Sequence, residues 1–329
     1  MKGMKGGAPR GRGGDGGILI LEGRSMNSGE RGYHVPVMLE QCMDGLAIRE
    51  DGVYVDVTFG GGGHAREILR RLGPKGKLVA FDQDPDAVAN ALDDPRFLLI
   101  HQNFKFLKNN LRLHGIHQVD GILADLGVSS HQFDAADRGF SIRFDAILDM
   151  RMDQVANQDA RTVLNTYAEG DLHRIFGMYG EIQNAKSLAK TIVTARLNQP
   201  IETVGQLKEI VARLVPKGRE HKYHAQLFQA LRIEVNAELE ALQSFLEQSV
   251  QVLSIAGRLV VMSYHSLEDR LVKNFMAKGK FSGELEKDFY GNPIAPFKVI
   301  TRKAVVADAS EVGQNNRARS AKLRVAEKI

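Results

Sequence analysis

Residues 53–82 read VYVDVTFGGGGHAREILRRLGPKGKLVAFD, and this stretch decides the fold. Val53–Val57 is a short apolar run between Gly52 and four consecutive glycines, Gly60–Gly63. A helical stretch from His64 to Leu72 follows, closed by Gly73-Pro74, and Lys77–Asp82 is a second apolar strand. Strand, glycine turn, helix and strand form the unit of a doubly wound parallel sheet. Glycines at such a turn let the backbone approach a ligand without a Cβ clash. A carboxylate ending the second strand, here Asp82, is placed to accept hydrogen bonds from ribose hydroxyls. The unit predicts a nucleoside-cofactor site, whereas four glycines alone would make only a flexible turn.

Outward from this unit the alternation continues. Asp84-Pro85 opens a helix with an N-cap and a first-turn proline, and Phe97–His101 and Val119–Asp125 are further strands. From about Ala136 to Tyr223 there is no strand candidate. The helical stretches Ala160–Tyr167, Asp171–Tyr179, Ala185–Leu197 and Val204–Leu214 predict an all-helical insertion. Phe228, Leu231, Val235, Leu239, Leu242, Leu246, Val250 and Leu253 then recur at spacings of three and four. That pattern predicts one long amphipathic helix with a face on the sheet. Arg258–Tyr264 is the next strand, Leu267–Met276 a helix, and Val299–Val305 and Ala321–Ala326 the last strands. The expected organisation is a tail (1–33), a discontinuous α/β domain (34–135 and 224–329), and a helical insertion (136–223).

The 329 residues, 43% hydrophobic and 26% charged, suffice for a sizeable core and exclude a mainly disordered chain. Cys42 is the sole cysteine, which excludes a disulfide framework and any multi-cysteine metal site. The histidines are scattered, so no metal is expected. The longest aliphatic run near the start, Ile18–Leu21, is too short for a signal peptide or membrane span, so the expectation is a cytoplasmic protein with no membrane partner. The net charge of +4 is uneven: residues 1–33 hold six Lys/Arg against three acids. Lys186–Tyr223 and Lys298–Ile329 each hold eight Lys/Arg against three acids, which suggests a groove for folded RNA. The glycine-rich tail reads as a disordered extension or as an arm on nucleic acid.

The carboxylates narrow the cofactor. Asp56 precedes the glycine turn, where its charge would oppose a dinucleotide pyrophosphate but suits the ammonium of S-adenosyl-L-methionine, whose carboxylate loop amides can take. Asp125 ends the fourth strand at the crevice edge of the sheet, facing ligand or capping a turn before Gly127. A methyltransferase is favoured over an NAD-linked oxidoreductase. The third reading is a non-catalytic RNA-binding or ribosome-assembly factor that retains the fold.

Further stretches carry a resemblance. His34-Val35-Pro36-Val37-Met38, Thr58–His64, Asp125-Leu126-Gly127-Val128-Ser129-Ser130, Arg138-Gly139-Phe140-Ser141, Leu148–Asp153, Phe228–Ile233, His265–Arg270 and Asn316–Ser320 stand in order. From about His34 to the end, the chain resembles the bacterial ribosomal RNA small subunit methyltransferase H family. The resemblance implies a Rossmann-like class I methyltransferase sheet and transfer of methyl from S-adenosyl-L-methionine to the exocyclic N4 of a cytidine. The partner it implies is the decoding region of 16S rRNA in the small ribosomal subunit. It also implies cofactor contacts at Gly62, Gly63, His64, Asp82, Phe104, Asp125 and Gln132. Gly61 departs from the family pattern, which often has a charged residue there.

A cytosine amino group is a poor nucleophile, so an acceptor for its proton is needed. Many amino methyltransferases carry a Pro-Pro-aromatic segment after the fourth strand. Here Leu126-Gly127-Val128 stands in that place, so that mechanism does not transfer. Asp125 is the expected proton acceptor, with Tyr264 and His265 shaping the base pocket, although His265 could equally cap the next helix. Asp149-Met150-Arg151-Met152-Asp153 reads as a salt-bridged turn or as a segment ordering the insertion over the site. The sequence leaves monomer and homodimer open.

Overall fold

Why residues 53–82 fold as they do is visible in the computed structural model, which describes residues 36–129, 132 and 137–329. The tail, His34, Val35 and Ser130 lie outside the described residues. After α1 (Leu39–Leu46) come β1 (Val53–Asp56), α2 (Gly63–Arg71), β2 (Lys77–Asp82), α3 (Pro85–Val88), β3 (Phe97–His101), α4 (Leu107–Leu113) and β4 (Val119–Asp125). Helices α5 (Ala160–Thr166), α6 (Glu169–Met178), α7 (Ala185–Arg196), α8 (Val204–Val211) and α9 (Glu220–Asn236) follow. The chain ends with α10 (Glu238–Val252), β5 (Leu253–Ser263), α11 (Ser266–Lys278), β6 (Phe297–Val299), α12 (Ala309–Gln314) and β7 (Lys322–Lys328).

The seven strands pair in the order β3-β2-β1-β4-β5-β7-β6. All pairs are parallel except those of β7, which runs antiparallel to both β5 and β6. The order reverses between β1 and β4, the switch point where open α/β sheets bind ligands. Each strand alternates between two buried faces, as its period of two requires. Val55, Val79, Phe81, Leu259 and Val261 meet α4, α10 and α11 on one side. Tyr54, Leu78, Ala80, Val260 and Met262 meet α1 and α2 on the other.

Helices α5–α9 close on a core of their own, with Leu164, Ile175, Phe176, Leu188, Leu227 and Leu231 inside it. Leu267, in the first turn of α11, belongs to the same cluster and joins that core to the sheet. The single long helix expected over residues 228–253 is instead two. Ala237 takes a left-handed backbone (φ 47°, ψ 44°) and ends α9, so Phe228 and Leu231 pack in the helical core. Of the two helices, α10 alone covers the sheet, through Leu242, Phe245, Leu246 and Val252.

Candidate functional site

The first carboxylate of the switch point comes from β1. Asp56 Oδ1 accepts the Thr58 N–H at 3.0 Å, while its buried Oδ2 has no hydrogen-bond partner. Burial raises its pKa to about 6. Thr58 Oγ1 accepts the Asp125 N–H at 2.7 Å, tying the glycine loop to the end of β4.

The loop is fixed from the β2 side. Asp82 Oδ2 accepts the Gly60 N–H and Oδ1 accepts the Asp84 N–H, both at 2.8 Å. Burial nevertheless raises the Asp82 pKa. Gly62 sits at φ +73°, and a Cβ there would lie 2.9 Å from the Phe59 ring. A Cβ on Gly63 would come within 2.4 Å of Pro36 Cγ, whereas one on Gly61 would meet nothing within 4 Å. The place where the family pattern differs is thus the place with room for a side chain.

His64 and Tyr264 flank Asp125. His64 Nε2 lies 3.1 Å from the Val37 carbonyl and donates to it, which leaves Nδ1, 3.9 Å from Asp125 Oδ2, turned toward the carboxylate. Burial lowers the His64 pKa, against the opposing pull of Asp56. The Tyr264 hydroxyl donates to Asp125 Oδ1 at 2.8 Å. Burial is the first cause lifting Asp125 to about 7; the Tyr264 hydrogen bond opposes it and the Glu268 charge adds to it. A quarter of the Asp125 side chain is exposed, so it is reachable from solvent.

Glu268 was not singled out as a site residue from the sequence, yet it orders the turn after β5. Its Oε2 accepts the Tyr264 N–H at 2.9 Å, which aims the tyrosine at Asp125. His265 is the N-cap of α11 in a capping box with Glu268, its Nδ1 accepting the Glu268 N–H. Of the two readings open for His265, the structure shows the helix cap. Its Nε2 is 3.2 Å from Glu268 Oε1, and no bond to Asp125 occurs. Arg232, on α9, grips Glu238 with two hydrogen bonds of 2.8 and 2.9 Å. Glu238, His265 and Glu268 are the one group among the described residues with metal-ligand spacing, and the guanidinium already balances the charge of Glu238.

Phe104 meets Phe245 edge-on at 5.6 Å and lines a cleft shared with Thr58, Gln83, Gly127, Met152 and Glu268. Gln132 bridges two loops beside the site. Its Nε2 donates to Asp84 Oδ2 at 2.6 Å and its Oε1 accepts the Ser129 N–H, so it braces the loops after β2 and β4. Arg138 joins this brace, donating to Asp84 Oδ2 at 2.6 Å. Arg151 pairs with Asp149, so that segment is the salt-bridged turn. Asn236 also holds the Met150 carbonyl and Met152 N–H, which sets Met152 over the cleft. Among the described residues, no helix is long and apolar enough to cross a membrane.

The model of the MraW methylase family matches residues 31–329. A ribosomal RNA small subunit methyltransferase H from Flavobacterium johnsoniae is 61% identical over 297 residues, covering 90% of this chain and 98% of that protein. A protein of the same name from Bacteroides thetaiotaomicron is 54% identical over 303 residues, covering 92% and 100%. A solved rRNA methylase from Streptococcus thermophilus aligns with a TM-score of 0.41 at 12% identity, over 90% of this chain and 99% of that one.

Proposed function

The chain belongs to the MraW methylase family, and from that premise we propose that it methylates the exocyclic N4 of a cytidine in the decoding region of 16S ribosomal RNA. One observation carries the reading: Asp56, Asp82 and Asp125, from the ends of three neighbouring strands, converge on the glycine loop. The residues fit S-adenosylmethionine. Asp56 Oδ2 is a buried acceptor without a partner, suited to an ammonium, and the Asp82 carboxylate is held rigidly for ribose hydroxyls. When bound, that cofactor supplies a methyl group on a positively charged sulfur, open to in-line displacement. The buried carboxylate under the loop speaks against a pyrophosphate, and hence against an NAD-linked oxidoreductase.

The protein's part is to position the base and take a proton. Tyr264 occupies Asp125 Oδ1, so Oδ2 is the oxygen left to receive a proton from N4 as the new N–C bond forms. Phe104 and Met152 wall the cleft against water. The basic stretch Lys186–Tyr223 on the helical insertion would carry rRNA phosphates, with 34–135 and 224–329 as the catalytic domain. Gln132 and His265 would support the site through the loops they brace.

Asp125→Asn tests the chemistry. Single-turnover methylation at saturating S-adenosylmethionine should fall by about 100-fold or more, the usual scale of general-base loss, even with the cofactor site filled. A near-normal rate would remove Asp125 from the proton-accepting role.

A further inference from the structure

Between α11 and β6 the chain forms a pinned hairpin whose tip the fold does not use. Lys287 bridges to Pro293, and the Ile294 N–H donates to the Glu286 carbonyl at 2.8 Å. Asp288 Oδ1 accepts the N–H groups of Tyr290 and Asn292 at 2.9 and 2.8 Å. Backbone and Asp288 thus close the turn; the rings of Phe289 and Tyr290 do not contribute to it. Those rings are 97% and 85% exposed and stand 5.5 Å apart, nearly perpendicular. Adjacent and exposed, they offer two aromatic faces to flat apolar partners.

The charge around the hairpin says what kind of surface. Lys287, Lys298, Arg302 and Lys303 are all exposed, and none reaches an acid among the described residues. Of the acids in the hairpin, Asp288 has its carboxylate engaged in the turn and Glu286 is paired with Lys280 at 3.0 Å, while exposed Glu284 stands at its base. Strand register orders these cations in space. Phe297 lies opposite Lys328, Val299 opposite Ala326 and Val305 opposite Leu323, while Lys322 pairs with Ser263, next to Tyr264. Lys298 lies opposite Glu327, whose carboxylate is paired with Arg258 at 2.9 Å. Residues 297–305 therefore run along β7 from the hairpin toward the end of the sheet that holds Asp125. Measured along β7 from Lys328 to Leu323, the path is roughly 17 Å at about 3.3 Å per residue.

We propose that Phe289 and Tyr290 stack on unpaired bases of the substrate RNA, with Lys298, Arg302 and Lys303 following its backbone toward the site. A row of unpaired cations attracts phosphates, and every base offers a π-face to an aromatic ring without regard to sequence. A second protein copy would find apolar rings but no use for the cations. This inference rests on the rRNA reading and adds a place of contact remote from the reacting base.

The test uses the full chain, a fluorescent mixed-sequence single-stranded RNA 20-mer for affinity, and small ribosomal subunits lacking the modification for methyl transfer. Phe289→Ala/Tyr290→Ala should weaken 20-mer binding about tenfold or more, leave S-adenosylmethionine binding unchanged, and raise the subunit concentration needed for half-maximal methylation. The aromatic exchange Phe289→Tyr/Tyr290→Phe should restore affinity. RNA affinity within twofold of wild type in the double alanine variant would overturn the inference. So would a loss of self-association with RNA affinity intact, which would assign the tip to a second copy. If wild-type protein transferred no methyl to RNA, the functional reading itself would fall; normal methylation with an inert tip would sink only the stacking platform.

Discussion

In the proposed reaction Asp125 takes the proton, and its surroundings set the pH at which it can do so. A carboxyl raised to about 7 is protonated below that pH and accepts a proton only above it. Single-turnover methylation should therefore rise with pH through about 7 and level off. Glu268→Gln removes a neighbouring negative charge that pushes Asp125 upward, so the rising limb should move to lower pH. A profile unchanged in that variant would show that the Glu268 charge does not act on Asp125. At the loop, Gly63→Ala should impair cofactor binding and stability by about 1–3 kcal/mol, because its Cβ would strike Pro36. Gly61→Ala should leave both intact in calorimetry and thermal melts. Asp56, Asp82 and Asp125 were legible from the sequence because each ends an apolar strand. Gln132 and Glu268 were less so, since their roles depend on partners that the fold supplies: Asp84 lies 48 positions from Gln132, and Tyr264 is aimed from a turn.

Among the elements, the least legible feature was the break at Ala237. The i, i+3, i+4 pattern continues across it without glycine or proline, so periodicity alone predicts one helix. What ends α9 is a left-handed alanine, fixed by Arg232 holding Glu238 across the bend and by Asn236 gripping the Met150 carbonyl. An alanine at φ 47° is strained by about 1 kcal/mol relative to glycine. Ala237→Gly should therefore be neutral to stabilising by up to about 1 kcal/mol in urea unfolding, with methylation retained. Marked destabilisation would mean that the bend depends on the alanine methyl. The parallel strands, by contrast, were readable because short apolar runs punctuated by Gly and Asp-Pro have few other ways to fold.

For the whole molecule, the sheet holds the candidate site, and the basic stretches flank it in sequence on the helical insertion and near the C-terminal end. Net charge concealed this: a total of +4 is the sum of local basic excesses and compensating acids. The central claim, methyl transfer to a cytidine amino group in ribosomal RNA, is tested most directly by the product. Small ribosomal subunits lacking the modification are incubated with the protein and labelled S-adenosylmethionine, and the RNA is digested to nucleosides. Label should appear in cytidine carrying the methyl on N4, from the decoding region, and accumulate about 100-fold or more slowly with Asp125→Asn. Label on another base or on ribose, or none in RNA from cofactor-bound wild-type protein, would contradict it.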